Sequence, residues 1–249
     1  MPKKETYPGF YEPAGIKPLS GEDTIKYVQN ELGQTKVLLS FSCGKDSVAL
    51  WLALRDRFEI VPFYLYRIPG ISFVEDSLNY YEDYFGQEIV RLPHPTFYRM
   101  LANLVWQPPE RVGVLLAMNL FEFSYDDLND LLSEHYDIPE PMCATGIRAV
   151  DNIWRRTAMI QRGPINMKRR YFYPIWDMNI AQVQQELVNA KVKLGVDYRL
   201  FGRSFDGMDY RFMKPVKDNY PQDWELIKEW FPFVEMEILR YSAHDYKKA

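Results

Sequence analysis

The chain has 249 residues, a hydrophobic share of 47% and a formal net charge of −4; that is enough for one large domain or one domain with an appendage, and too evenly charged to coat nucleic acid by charge alone. Its two cysteines, Cys43 and Cys143, exclude a disulfide framework and cannot alone supply the four thiolates of an iron-sulfur cluster or zinc ribbon. No apolar run approaches the roughly 18 residues of a membrane span, and the opening residues lack an apolar leader core, so a soluble cytoplasmic protein with no membrane partner is expected.

Residues 1–19 are rich in Pro, Gly and Lys without periodicity and read as an extended arm, with Tyr7, Phe10 and Tyr11 available to lie on the body. Ser20 and Asp23 resemble a capping box, and Ile25, Val28 and Leu32 then recur at helical spacing up to Gly33. A short apolar run over 36–41 predicts a buried parallel strand, and residues 46–57 a helix behind it. A second strand at 60–66, a helix over 73–85 and a third strand at 88–92 follow, a strand-helix alternation that implies a parallel sheet. Residues 94–140 read instead as a helical insertion, with helices near 96–105, 110–121 and 125–135. The sheet resumes with strands at 142–146 and 171–175, helices at 150–161 and 179–193, and a short strand at 198–201. The last stretch, 216–249, is a tail with a helix at 223–230 and aromatics that either pack or dimerise. The expected fold is therefore α/β, a Rossmann-like parallel sheet of about five strands flanked by helices, occupying residues 20–215.

The chemistry concentrates in Ser40-Phe41-Ser42-Cys43-Gly44-Lys45-Asp46-Ser47. A strand that hands over to a helix through small residues offers backbone N–H groups and the positive end of the helix dipole to an anion. Ser40, Ser42 and Ser47 are hydroxyl donors, Gly44 permits close approach, Lys45 adds a mobile positive charge, and Asp46 either caps the helix or holds a divalent metal. The spacing is neither that of a Walker A loop nor that of a dinucleotide-binding turn. Cys43 is either a reactive thiol at a helix N-terminus or a small residue filling a tight turn. A basic run over 162–170, with Arg155 and Arg156 before it, is a solvated face or a set of phosphate contacts with Tyr171 and Phe172 as stacking partners.

This octapeptide resembles the PP-loop of the adenine nucleotide alpha hydrolase superfamily, with Cys43 where a glycine usually stands. Within it, the phosphoadenylylsulfate (PAPS) reductase branch is similar at four further places. Gly70 and Phe73 match the end of its second strand. Thr145-Gly146-Ile147-Arg148-Ala149-Val150-Asp151-Asn152-Ile153-Trp154-Arg155 is similar to its Gly-Ile-Arg segment, keeping Gly146, Arg148 and Arg155 in spacing. Tyr173-Pro174-Ile175-Trp176-Asp177 is similar to its Pro-Ile-x-x-Trp segment, and Gly202 to Asp209 to a polar turn at the site mouth. The resemblance implies binding of ATP with Mg2+, the metal on Asp46. It implies nucleotide contacts from Ser40, Ser42, Cys43, Gly44, Lys45, Asp46, Ser47, Gly70, Gly146 and Arg148, and catalytic roles for Lys45, Asp46, Arg148 and Arg155. No cysteine follows Cys143, so the thiol that serves PAPS reductases near their C-terminus has no counterpart. The reading that follows is cleavage of ATP between its α and β phosphates to adenylate an acceptor, a nucleobase or nucleic acid. The alternatives are a sulfonucleotide reductase or sulfurtransferase using Cys43 or Cys143, and a nucleotide-binding module acting through a partner protein.

Overall fold

The computed structural model describes residues 18–245, with side chains described through residue 242. The expected arm therefore lies almost wholly outside the described residues. In chain order the elements are α1 (Gly21–Asn30), β1 (Lys36–Phe41), α2 (Lys45–Leu54), β2 (Glu59–Tyr66), α3 (Ser72–Phe85), β3 (Val90–Pro93), α4 (Pro95–Ala102), α5 (Pro109–Met118) and α6 (Tyr125–His135). There follow β4 (Cys143–Ala144), a 3-10 turn (Ala149–Asp151), α7 (Ile153–Arg162), β5 (Ile165–Asn166), β6 (Tyr171–Phe172), α8 (Ile180–Asn189), α9 (Val196–Phe201), α10 (Tyr210–Asn219), α11 (Pro221–Trp230) and α12 (Glu235–Asp245).

The fold is α/β, with helices flanking a six-stranded, mostly parallel sheet in the order β3-β2-β1-β4-β6-β5. β1 runs parallel to both β2 and β4, with Leu38 opposite Val61 on one side and Cys143 on the other. β6 continues the parallel set beside β4, and β5 closes the edge antiparallel. β6 falls within the expected strand at 171–175, and β5 is the strand not expected, because two residues carry no readable periodicity.

The chain forms two compact units, Met1–Tyr64 with Asp126–Leu194, and Leu65–Tyr125 with Gly195–Ala249. In the first, Val37, Leu38 and Leu39 of β1 are fully buried, as are Val48 and Leu50 of α2 and Cys143 and Ala144 of β4. Continuous burial along β1 is what a central parallel strand covered on both faces requires. In the second, an aromatic cluster forms the core: Phe73 meets Phe205 edge-on at 5.4 Å and Tyr220 at 5.0 Å, and Phe212 meets Phe201 at 5.0 Å. Of the tail's aromatics Trp224 and Phe231 are buried in this unit, whereas Phe233 and Tyr241 are exposed.

Three local expectations are corrected. Residues 198–201 are not a strand but the end of α9, which stops at Gly202 in the left-handed conformation (φ 70°); four residues with one polar side chain among them fit either period. α10 is absent from the expected elements, the stretch before it being read only as a polar turn. It is held by buried Phe212, Met213 and Val216, on one face, despite the proline inside it. α12 was likewise absent from the expected elements.

Candidate nucleotide site in the first unit

Strand order places this site. β1 has β2 on one side and β4 on the other, and the chain leaves β1 toward β2 but leaves β4 toward β6. In open α/β sheets ligands bind beyond the carboxyl ends of the two strands at such a reversal. Here those ends lead into Ser42-Cys43-Gly44 and into Thr145-Gly146-Ile147-Arg148, two segments far apart in sequence.

The first segment is a tight turn. Cys43 adopts φ 55°, one of few non-glycine residues in the left-handed region, and its side chain is buried. That backbone state is the physical reason glycine suits this position. Gly44 is the N-cap of α2 and provides no capping side chain, so the helix keeps N–H groups without intrahelical partners at its start. Ser47 organises the turn: its Oγ donates to Gly44 O at 2.9 Å and lies 3.2 Å from both Ser42 N and Ser42 Oγ. Ser42 itself is exposed, whereas Ser40 lies within β1 in register with Phe63.

The second segment packs onto the first. A Cβ at Gly146 would stand 3.1 Å from Asp46 C and 3.3 Å from Ser47 N, so glycine lets β4's exit lie against the first turn of α2. Arg148 follows, its side chain 4% exposed, with Nε 2.9 Å from Asp46 Oδ1. Asp46 is also held by Lys45 Nζ at 2.6 Å. On the far side Asp151 takes Arg148 Nη2 at 2.8 Å and Arg155 Nη1 at 2.9 Å. Asn152 caps α7 by accepting from Arg155 N at 2.8 Å. Lys45, Asp46, Arg148, Asp151 and Arg155 thus form one chain of charges, three cationic and two anionic.

The chain is incompletely satisfied. Arg148 Nε and Nη1, Asp46 Oδ1 and Thr145 Oγ1 are buried without a hydrogen-bond partner; the 2.9 Å approach of Arg148 Nε to Asp46 lacks the alignment of a bond. Buried donors of a guanidinium left unmet are costly, and an anion oxygen is their natural complement. The residues present thus fit a phosphate group. They also fit Mg2+ carried on phosphates, for which Asp46 Oδ1 is an acceptor without a donor and one carboxylate suffices. Among the described residues no three His, Cys, Asp or Glu side chains gather as a metal cluster.

The Pro-Ile segment is structural support. Trp176 O accepts from Ala149 N at 2.7 Å, next to Arg148, while Trp176 Nε1 donates to Leu19 O and Asp177 accepts from Gly21 N. Gly70, expected at the nucleotide, belongs to the second unit, where it turns the chain with φ 78° beside Leu226. The Gly202 to Asp209 turn also belongs there, with Phe205 in the aromatic core.

The thiols are poorly placed for chemistry. Cys143 is wholly buried, and that burial pushes its thiol well above the ordinary range. Phe172 is fully buried against Phe58 and cannot stack on a ligand. Much of the basic run is already neutralised: Arg169 pairs with Asp126 at 3.0 Å and Arg170 with Asp130. Trp154, absent from the expected site residues, is 81% exposed on α7 beside Arg155 and Arg156. Only Met159 of that helix is buried. The signal available was the three arginines of α7 without an acid among them.

No family model matches the chain, and no curated protein matches it. Among solved structures, the U34-tRNA thiolase NcsA from Methanococcus maripaludis, determined with its 4Fe-4S cluster, aligns at 13% identity. The alignment covers 86% of this chain and 78% of that one, with a TM-score of 0.45. An NH3-dependent NAD synthetase from Campylobacter jejuni, in complex with nitrate, aligns at 13% identity over 88% of this chain and 93% of that one, with a TM-score of 0.43. Both are distant likenesses in chain course, and neither carries the functional reading.

Proposed function

We propose that the chain is a PAPS reductase-like PP-loop enzyme that binds ATP at the β1–α2 loop and cleaves it between the α and β phosphates. An acceptor oxygen attacks the α phosphorus, the bond to the bridging oxygen breaks, and pyrophosphate leaves as the acceptor becomes an adenylate. The observation that carries this reading is the buried Arg148, unsatisfied at Nε and Nη1, packed against the first turn of α2. Ser42, Gly44 and Ser47 shape the anion cradle, and Lys45 and Arg148 meet the charge that develops on the leaving group. Arg155, held through Asp151, is a positioning residue. Mg2+ bound with the nucleotide would neutralise phosphate oxygens, with Asp46 as its protein ligand.

The acceptor in this proposal is a nucleobase or single-stranded nucleic acid. Exposed Trp154 offers a stacking face, and Arg156 and Arg162 on the same helix have no acid partner among the described residues. Sulfur chemistry through Cys143 or Cys43 is the weaker alternative, since both side chains are buried.

Incubation with ATP and Mg2+ is expected to release pyrophosphate and AMP-linked product, and single-stranded oligonucleotides to stimulate the release. Lys45→Ala should lower it by roughly 100-fold or more. Undiminished release by that variant, or release of ADP and orthophosphate in place of pyrophosphate, defeats the assignment.

A further inference from the structure

The second unit contains a cavity of about 590 Å3, within the usual range of small-molecule sites. Leu101, Leu115, Met118, Leu226 and Trp230 make its apolar wall. Leu115 and Met118 come from α5, a helix that buries none of its side chains. Its apolar surface faces water, and covering it is favourable.

Two charges border the cavity. Arg111 and Glu229 both line it, and Arg111 Nη1 donates to the main-chain oxygen of Glu229 at 2.6 Å. Neither side chain forms an ion pair with any described residue; Lys228, next to Glu229, is taken by Glu225. Gln107 also lines the cavity. Its Nε2 donates to Trp230 O at 2.8 Å, while its Oε1 is buried without a donor. The site therefore offers one cation and one carboxylate without ion-pair partners among the described residues, and one unmet acceptor, around an apolar interior.

We propose that this cavity binds an α-amino acid with a large apolar side chain. Its carboxylate pairs with Arg111, its ammonium faces the Glu229 carboxylate with Gln107 Oε1 as second acceptor, and its side chain covers Leu115 and Met118. A simple apolar acid would satisfy Arg111 but set like charge against Glu229; a hydrocarbon would answer neither group. The inference is independent of the nucleotide reading.

The test is calorimetric titration of the full chain, without nucleotide, by L-phenylalanine and L-leucine. Parallel titrations use 3-phenylpropionate, which lacks the ammonium, and phenethylamine, which lacks the carboxylate. At least one amino acid should bind, with each half-analogue about tenfold weaker or worse. Arg111→Met should weaken binding roughly 10- to 100-fold and Glu229→Gln about tenfold. Both residues are exposed, and the one bond lost with Arg111 is a surface one, so the melting temperature of the free chain should move little. The proposal is overturned if neither amino acid binds, if 3-phenylpropionate binds as tightly, or if Arg111→Met leaves the affinity unchanged. It is equally overturned if sedimentation shows a dimer that shields α5 and excludes the ligand. Because the titration contains no ATP, its failure leaves adenylation standing, and failure of adenylation leaves it standing.

Discussion

At the scale of the residue, Cys43 shows how backbone geometry and chemistry can be told apart. Its left-handed φ of 55° costs a non-glycine residue on the order of 1 kcal/mol. Cys43→Gly removes that cost, gives up some buried contact and adds freedom to the unfolded chain, so the net stability change should be small. Cys43→Val places a β-branched side chain in the same conformation and should destabilise by about 1–2 kcal/mol. Thermal melts read both effects. Cys43→Gly should also keep full pyrophosphate release, because the proposed site uses the turn's shape and not its thiol. A glycine variant that melts normally but has lost turnover would return the thiol to the mechanism.

At the scale of the element, α7 carries Arg155 and the exposed Trp154, and the 3-10 turn before it ties the helix to Arg148. Asn152 starts it in an extended conformation and accepts from Arg155 N, while Asp151 before it grips both guanidinium groups. Asn152→Ala should cost about 1 kcal/mol of stability through loss of the cap and should raise KM for ATP by loosening Arg155. A circular-dichroism melt and a substrate titration check the two parts; an Asp or Ser replacement, each able to cap, should restore both. The sequence places a helix over 150–161 here, whereas residues 149–151 form a 3-10 turn and extended Asn152 starts α7 only at Ile153; reading the chain succeeds elsewhere. Ser20 before α1, the β1–α2 junction and the spacing from Gly146 to Arg155 are local patterns, and local patterns fix their own geometry. What resists reading depends on partners distant in sequence. That Arg148 lies against Asp46 follows only from β4 inserting beside β1, and α10 exists because Phe212 has an aromatic cluster to enter. Exposure of Trp154 and burial of Phe172 are likewise properties of the packed chain, not of the composition around either residue.

At the scale of the whole molecule, two titratable groups of the second unit, half-buried His94 and buried Asp197, pull stability in opposite directions with pH. His94 caps α4, its Nδ1 accepting from Thr96 N at 3.0 Å and its Nε2 2.9 Å from Tyr125 OH. Burial, with Arg67 and Arg99 nearby, holds its pKa down to about 4. The unfolded chain takes up that proton near the ordinary value of 6.5, so stability falls as pH drops from about 6.5 to about 4. Asp197 behaves oppositely. Burial pushes it up to about 6, even though the main-chain N–H groups of Phe205 and Tyr198 donate to it. The unfolded chain loses this proton near the ordinary 3.8, so stability falls as pH rises from there to about 6 and then levels. The Asp197 contribution is on the order of 2–3 kcal/mol across that window, and that of His94 is comparable once solvent screening of its half-exposed ring is allowed for. The two slopes oppose one another between pH 4 and 6. Asp197→Asn should make the slope more positive by removing the fall with pH that comes from Asp197. His94→Asn, which retains a capping side chain, should make it more negative. The discriminating observable is the slope of unfolding free energy against pH from denaturant titrations, since both variants also lower its height. An Asp197→Asn slope identical to the parent's would mean that Asp197 is ionised inside the fold at pH 4, and that its two main-chain donors outweigh its burial.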